Sequence, residues 1–107
     1  AGVIGALAAV SALRSLGVRP RAGMLVLALR CEEAVWFGLG LVGSRAALGR
    51  LPKDALARRR LGTDRTLAEH MRDCGGDPEA VAAGAMLIDP AALAGFVEIH
   101  IEQAPQL

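Results

Sequence analysis

Aromatic side chains are scarce in this chain of 107 residues: Trp36, Phe37 and Phe96 supply the whole 3%. A core must then be built from Ala, Leu and Val, and the rows of rings on which single-stranded nucleic acid stacks are missing. A formal net charge of +1 gives no long-range field of either sign, so neither the composition nor the charge suggests a nucleic-acid partner. No apolar run reaches the roughly 18 residues that a membrane-spanning helix needs. The two cysteines, Cys31 and Cys74, are too few and too far apart for a disulfide framework, which points to reduced thiols and a cytoplasmic setting.

What is present suits one folded domain. Hydrophobic residues make up 53% and charged residues 21%, and the mean hydropathy is +0.40, which excludes intrinsic disorder. The alanine-rich opening, Ala1 to Leu16, resembles a signal peptide in composition. It lacks a basic start and carries Ser11 and Arg14 within its apolar stretch, so it reads as a globular helix. Ile4, Leu7, Val10, Leu13 and Leu16 recur at every third position with Gly17 as a stop, the pattern of an amphipathic helix. Pro20 and Gly23 interrupt the chain before Met24 to Leu29, whose unbroken apolar character predicts a strand covered on both faces.

Ala34 to Gly43 contains Trp36, Phe37 and three glycines, the composition of a mobile or tightly turning loop. Ser44 is placed to cap a short helix running through Arg50, Pro52 to open another to about Arg60, and Thr66 to cap a third, Leu67 to Cys74. Asp77-Pro78 and Asp89-Pro90 each start a further turn. The basic run Arg58-Arg59-Arg60 reads either as a solvated helix end or as a phosphate site. A last strand, Phe96 to Glu102, alternates Val97, Ile99 and Ile101 on one face with Glu98, His100 and Glu102 on the other. The fold class expected is α/β, part of a mostly parallel sheet flanked by helices, an incomplete catalytic domain spanning residues 1–107.

Two features carry chemistry. Glu32 and Glu33 stand at the end of the first predicted strand, and His100 stands in the second. An acid pair at one strand end and an imidazole on another is how a parallel sheet can bring metal ligands and a general base into one crevice. On that reading Glu33 is a metal ligand, Glu32 removes a proton from a bound water, and Glu98 or Glu102 orients the imidazole of His100. The competing reading has the acids solvating a loop and His100 as an ordinary hydrogen-bonded residue. Gln103 either donates to a substrate carbonyl or is a plain loop amide. His70 reads as a surface residue and Cys31 as an inert buried thiol.

The strings Val97-Glu98-Ile99-His100-Ile101-Glu102-Gln103-Ala104-Pro105, Cys31-Glu32-Glu33-Ala34-Val35-Trp36-Phe37 and Gly43-Ser44-Arg45 resemble the zinc-dependent amidohydrolases. That family includes N-carbamoyl-L-amino-acid hydrolase, allantoate amidohydrolase and β-ureidopropionase, and is related to the aminoacylase and carboxypeptidase-type metallopeptidases. The resemblance runs along nearly the whole chain. It implies a two-metal site of zinc, manganese or cobalt and cleavage of carbamoyl or ureido C–N bonds in a small substrate. It also implies Glu32 as general base, Glu33 and His100 as metal ligands, and Gln103 as a residue lining the substrate site.

Departures from the pattern accompany it. Ala1 stands where the family places an aspartate that bridges the two metals, Ala104 where it has glycine, and Trp36 where many members have arginine. A further histidine ligand falls upstream, and the family continues beyond Leu107 into a lid and dimerisation domain. Two expectations follow: a hydrolase fragment that is inactive alone and holds metal weakly or not at all, or a non-catalytic module of the same descent. Parallel sheets need both faces covered, so a homo-oligomer is expected in either case.

Overall fold

A computed structural model of the chain describes residues 1–101. The chain divides into two compact units, one formed by Ala1–Ala28 with the segment from Leu93 onward, the other by Leu29–Ala92.

The first unit is built on helix α1, Gly2–Ser15, which starts two residues before the predicted Ile4 and ends where Gly17, at φ +67°, turns the chain. Its closing amides are satisfied locally: Leu16 N–H donates to the Ala12 carbonyl at 2.9 Å and Val18 N–H to Leu13 at 2.9 Å. Ile99 crosses its first turn, where a side chain at Gly5 would collide with that of Ile99. The apolar periodicity is real, yet no residue of α1 is buried, and Ile4 and Leu7 are 74% and 56% exposed.

Met24 to Leu29 and Phe96 to Ile101, the two predicted strands, form no ladder among the described residues. The β pairing described is an isolated antiparallel bridge between Arg59 and Thr66. A strand is defined by a neighbour that takes up its N–H and C=O groups, so an apolar run alone does not make one.

The second unit holds the core. Phe37, Val42, Ala55 and Leu67 are buried, with Cys31, Leu39, Leu51 and Leu56 packed partly buried against them. Val42, Ala55 with Leu56, and Leu67 are placed by α2 (Val42–Ala47), a 3-10 turn (Ala55–Ala57) and α3 (Leu67–Asp73); α4 (Pro78–Ala82) and a second 3-10 turn, Pro90–Ala92, follow. Helix α3 begins as predicted, with a capping box: the Thr66 hydroxyl accepts from Glu69 N–H at 3.3 Å, and the Glu69 carboxylate accepts from Thr66 N–H at 2.7 Å. Those bonds from Thr66 hold the Glu69 carboxyl below the usual glutamate range. Helix α4 is started by Pro78 in its first turn and by the Asp77 carboxylate, which accepts from Ala80 N–H at 2.8 Å.

Helix α2 departs from expectation. Ser44 does not cap it; it lies within the helix, and its hydroxyl donates back to the carbonyl of Leu41, the residue before the helix, at 3.1 Å. The cap is made by backbone instead. Leu41, Val42 and Gly43 N–H donate to the carbonyls of Glu32, Cys31 and Arg30 at 2.7, 3.0 and 3.0 Å, so three consecutive amides at the helix start meet three consecutive carbonyls running the opposite way. The chains approach so closely that a Cβ at Gly43 would lie 2.5 Å from the Arg30 carbonyl oxygen and 2.9 Å from its nitrogen. Cys31 and Leu41 take up the curvature with φ of +52° and +59°, values that non-glycine residues rarely adopt. The Pro52 helix shrinks to the 3-10 turn, because Arg58, just after it, is extended at ψ +133° and Arg59 enters the bridge with Thr66.

Two outcomes test this division of labour by urea denaturation. Phe37→Ala should cost about 3 kcal/mol, whereas Ile4→Ala should cost less than about 0.5 kcal/mol; equal costs would contradict a core confined to the second unit. Gly43→Ala should cost about 2 kcal/mol or more, because the close backbone approach must open; a neutral result would show that the contact is loose.

Candidate functional site

Glu32 and Glu33 lie in the second unit, on the arc between Arg30 and Gly43, and both are exposed. Their main chain is fixed before their side chains are considered. The carbonyl of Glu32 is held by Leu41 N–H at 2.7 Å, and the arc ahead of it is closed by Gly38 N–H donating to the Ala34 carbonyl at 3.0 Å. Three further ties fasten this arc to the rest of the unit. Phe37 enters the core at 8% exposure. Arg58 donates from Nη1 to the Gly38 carbonyl at 3.1 Å while its Nε and Nη2 grip the Asp54 carboxylate at 3.2 and 3.0 Å. Leu61 N–H donates to the Trp36 carbonyl at 2.7 Å. The loop that composition left as mobile or tightly turning is thus a pinned turn, carrying two adjacent carboxylates outward from a rigid base.

His100 lies in the first unit, with its side chain 69% exposed and Nδ1 3.8 Å from the Glu98 carboxylate. That separation is too long for a hydrogen bond but suits an electrostatic partner of the imidazole. Gln103 lies outside the described residues, as does Glu102. The four predicted site residues are therefore spread over both units and the undescribed end of the chain. Carboxylate oxygen and imidazole nitrogen are donors of the kind zinc takes, but Glu33 and His100 fall short of a full ligand set. Among the described residues no group of three or more His, Cys, Asp or Glu side chains is arranged to hold a metal ion.

Several features went unread in the sequence. His70 is not a surface residue: its ring stands edge-on to Phe37, with centroids 5.9 Å apart at 71°, and its Nε2 is buried with no hydrogen-bond partner among the described residues. Its position three residues after Leu67 on α3 was the available signal, since residues so spaced share a helix face. The Arg58–Arg60 run is not a solvated helix end. Arg58 clamps the acid-bearing arc, Arg59 pairs with Asp64 at 2.6 Å, and Arg60 lies over the Trp36 ring with its guanidinium carbon 4.2 Å from the centroid. Both cysteines are free, Cys31 half-buried and Cys74 exposed. No helix among the described residues is long and apolar enough to cross a membrane.

No family model matches the chain. Curated proteins do. It is 36% identical over 105 residues to N-carbamoyl-L-amino acid amidohydrolase of Geobacillus stearothermophilus, an alignment that covers 95% of this chain and 25% of that protein. It is 32% identical over 114 residues to allantoate deiminase of Arabidopsis thaliana, covering 99% of this chain and 21% of the relative. Ureidoglycolate hydrolase of the same plant is 26% identical over 109 residues, with 99% and 23% covered. The chain thus spans about a quarter of the length of the curated relatives it matches. Similarity at 32% to 36% identity over nearly every residue of this chain supports the amidohydrolase family as its place.

Proposed function

We propose that this chain is part of a metal-dependent amidohydrolase that cleaves the C–N bond of N-carbamoyl or ureido carboxylates, and that it contributes the base and part of the metal-ligand set. The observation that carries the reading is the 36% identity along 95% of the chain to a protein named for that substrate class. The pinned arc supports it, because a general base must be held within hydrogen-bond reach of the water it deprotonates. The apolar runs at Met24 to Leu29 and Phe96 to Ile101 serve as strands of a mostly parallel sheet in the complete catalytic domain. The carboxyl ends of such strands are where a parallel sheet gathers ligands and a general base.

In this reading Glu33 and His100 would hold a divalent ion, zinc or, in its place, manganese or cobalt, alongside ligands from the rest of the protein. When bound, the ion supplies Lewis acidity that makes a water acidic enough to attack at neutral pH. Glu32 would take the proton of the attacking water as its oxygen bonds to the ureido carbon. The same carboxyl then returns the proton to the departing nitrogen as the C–N bond breaks, so that protons and charge balance over the cycle. Gln103 donates to the substrate carbonyl. The free thiols suit a reducing, cytoplasmic location.

A second reading is favoured by a separate observation. Ile4, Leu25 and Val97, at 74%, 66% and 92% exposure, leave the first unit with much of its apolar surface uncovered. A non-catalytic module of the same descent, paired with another copy of itself, would cover such surface. Activity separates the two. With the remainder of the enzyme supplied in trans and N-carbamoyl amino acids assayed with zinc, manganese or cobalt, turnover should fall by roughly 100-fold or more on Glu32→Gln. Turnover that is absent, or indifferent to Glu32, would remove the hydrolase reading and leave the module.

A further inference from the structure

The first acidic side chain of the sequence is Glu32, and the stretch before it carries Arg14, Arg19, Arg21 and Arg30 with no Asp or Glu to offset them. Arg14, Arg19 and Arg21 belong to the first unit, and among the described residues none of the three has an ion pair. Arg14 stands in the last turn of α1, beside Val10 and Leu13, because residues three and four apart share a helix face. Gly17, in the left-handed region, closes the helix: its N–H donates to the Arg14 carbonyl at 3.1 Å and Val18 N–H to the Leu13 carbonyl at 2.9 Å. This crossed pair of bonds turns the chain back on itself. Val18 and the segment from Arg21 to Met24 thereby line one open cavity with Val10, Leu13 and Arg14, of about 370 Å³. Val10 and Leu13 are half-buried in it, whereas Arg14 and Arg21 are exposed. A second hollow of about 370 Å³ shares Val10 and Arg14 and reaches Leu7 along the helix.

We infer that this cavity binds an amphipathic monocarboxylate, an apolar chain of medium length that ends in a carboxylate. The apolar chain lies on Val10, Leu13 and Val18, and the carboxylate meets the guanidiniums of Arg14 and Arg21. Three observations select that chemistry. The volume falls in the range of small-molecule sites, roughly 300–1,000 Å³. The half-buried surface is aliphatic, which favours a hydrocarbon body over a phosphate or a sugar. Both charged residues of the lining are arginines, and no acid lines either hollow, so an anionic group completes the site whereas a neutral one leaves two charges unanswered. The carbonyl end of α1 opposes an anion with only about half a unit of charge, less than either guanidinium supplies. The cavity lies wholly within the first unit and the acid pair in the second, so the inference stands apart from the hydrolase reading.

Titration of the whole chain with sodium octanoate, followed by NMR of backbone amides and side-chain methyls, tests both halves of the site. Octanoate should bind saturably at one molecule per chain, with the largest shifts at Val10, Leu13, Val18 and Met24. Neutral octanamide, which keeps the apolar chain and loses the charge, should bind roughly tenfold more weakly. Butanoate, which keeps the charge and loses four methylenes, should bind at least about tenfold more weakly. Arg14→Gln and Arg21→Gln should each weaken octanoate severalfold while leaving octanamide unchanged. Equal affinity for octanoate and octanamide would overturn the assignment, as would uptake that never saturates, which marks partition onto exposed apolar surface. So would shifts centred outside the cavity, or octanoate affinity indifferent to both arginines. The comparison of octanoate with octanamide and butanoate needs no variant, so it decides the matter even where a substitution disturbs folding.

Discussion

Three hydrogen bonds organise the part of this protein that bears on chemistry: Leu41, Val42 and Gly43 N–H to the carbonyls of Glu32, Cys31 and Arg30. Each contributes only about 1 kcal/mol net. Their importance is geometric, because they cap helix α2 and fix the main chain of the acid pair in the same act. The cost of that arrangement is visible beside it. Cys31 and Leu41 are held at positive φ, and position 43 has no room for a side chain. Strain of this kind persists only where surrounding contacts over-determine it, and it concentrates where side chains must be aimed.

Around that arc the stabilising contacts are layered by depth. Phe37 and Val42 anchor the two sides of the arc in the core, so the loop cannot swing without exposing apolar surface. Arg58 works at the rim, where its guanidinium joins the Gly38 carbonyl to Asp54. The ion pairs Arg65–Asp73 and Arg72–Glu79 lie on exposed surface and contribute little by comparison. The first unit is organised differently, with an apolar helix whose periodic face is only partly covered and with extended runs that lack ladders among the described residues.

What could be read from sequence was local chemistry. Thr66, Asp77 with Pro78 and Gly17 after Leu16 declare helix ends through side chains and backbone freedom that act within a few residues, and the structure has each of those ends. Ser44 misled because its helix is capped by carbonyls about ten residues away, which no local pattern encodes. The same holds for His70, Arg58 and Arg60, whose roles are set by partners distant in the chain: Phe37, Gly38 and Trp36. Glu32 and Glu33 were legible as a pair, but the rigid mount beneath them was not, since glycine-rich composition looks alike in a mobile loop and in a tightly pinned one.

The account turns on whether that mount is as rigid as its bonding implies, and amide hydrogen exchange measures this residue by residue. The amides of Leu41, Val42 and Gly43 should exchange as slowly as that of Leu67, which is bonded to the Arg58 carbonyl at 2.9 Å beside the core, and should open together with it. Exchange of those three amides near the rate of unstructured peptide, with Leu67 still protected, would mean that the acid pair rides on a loose loop and would contradict the account.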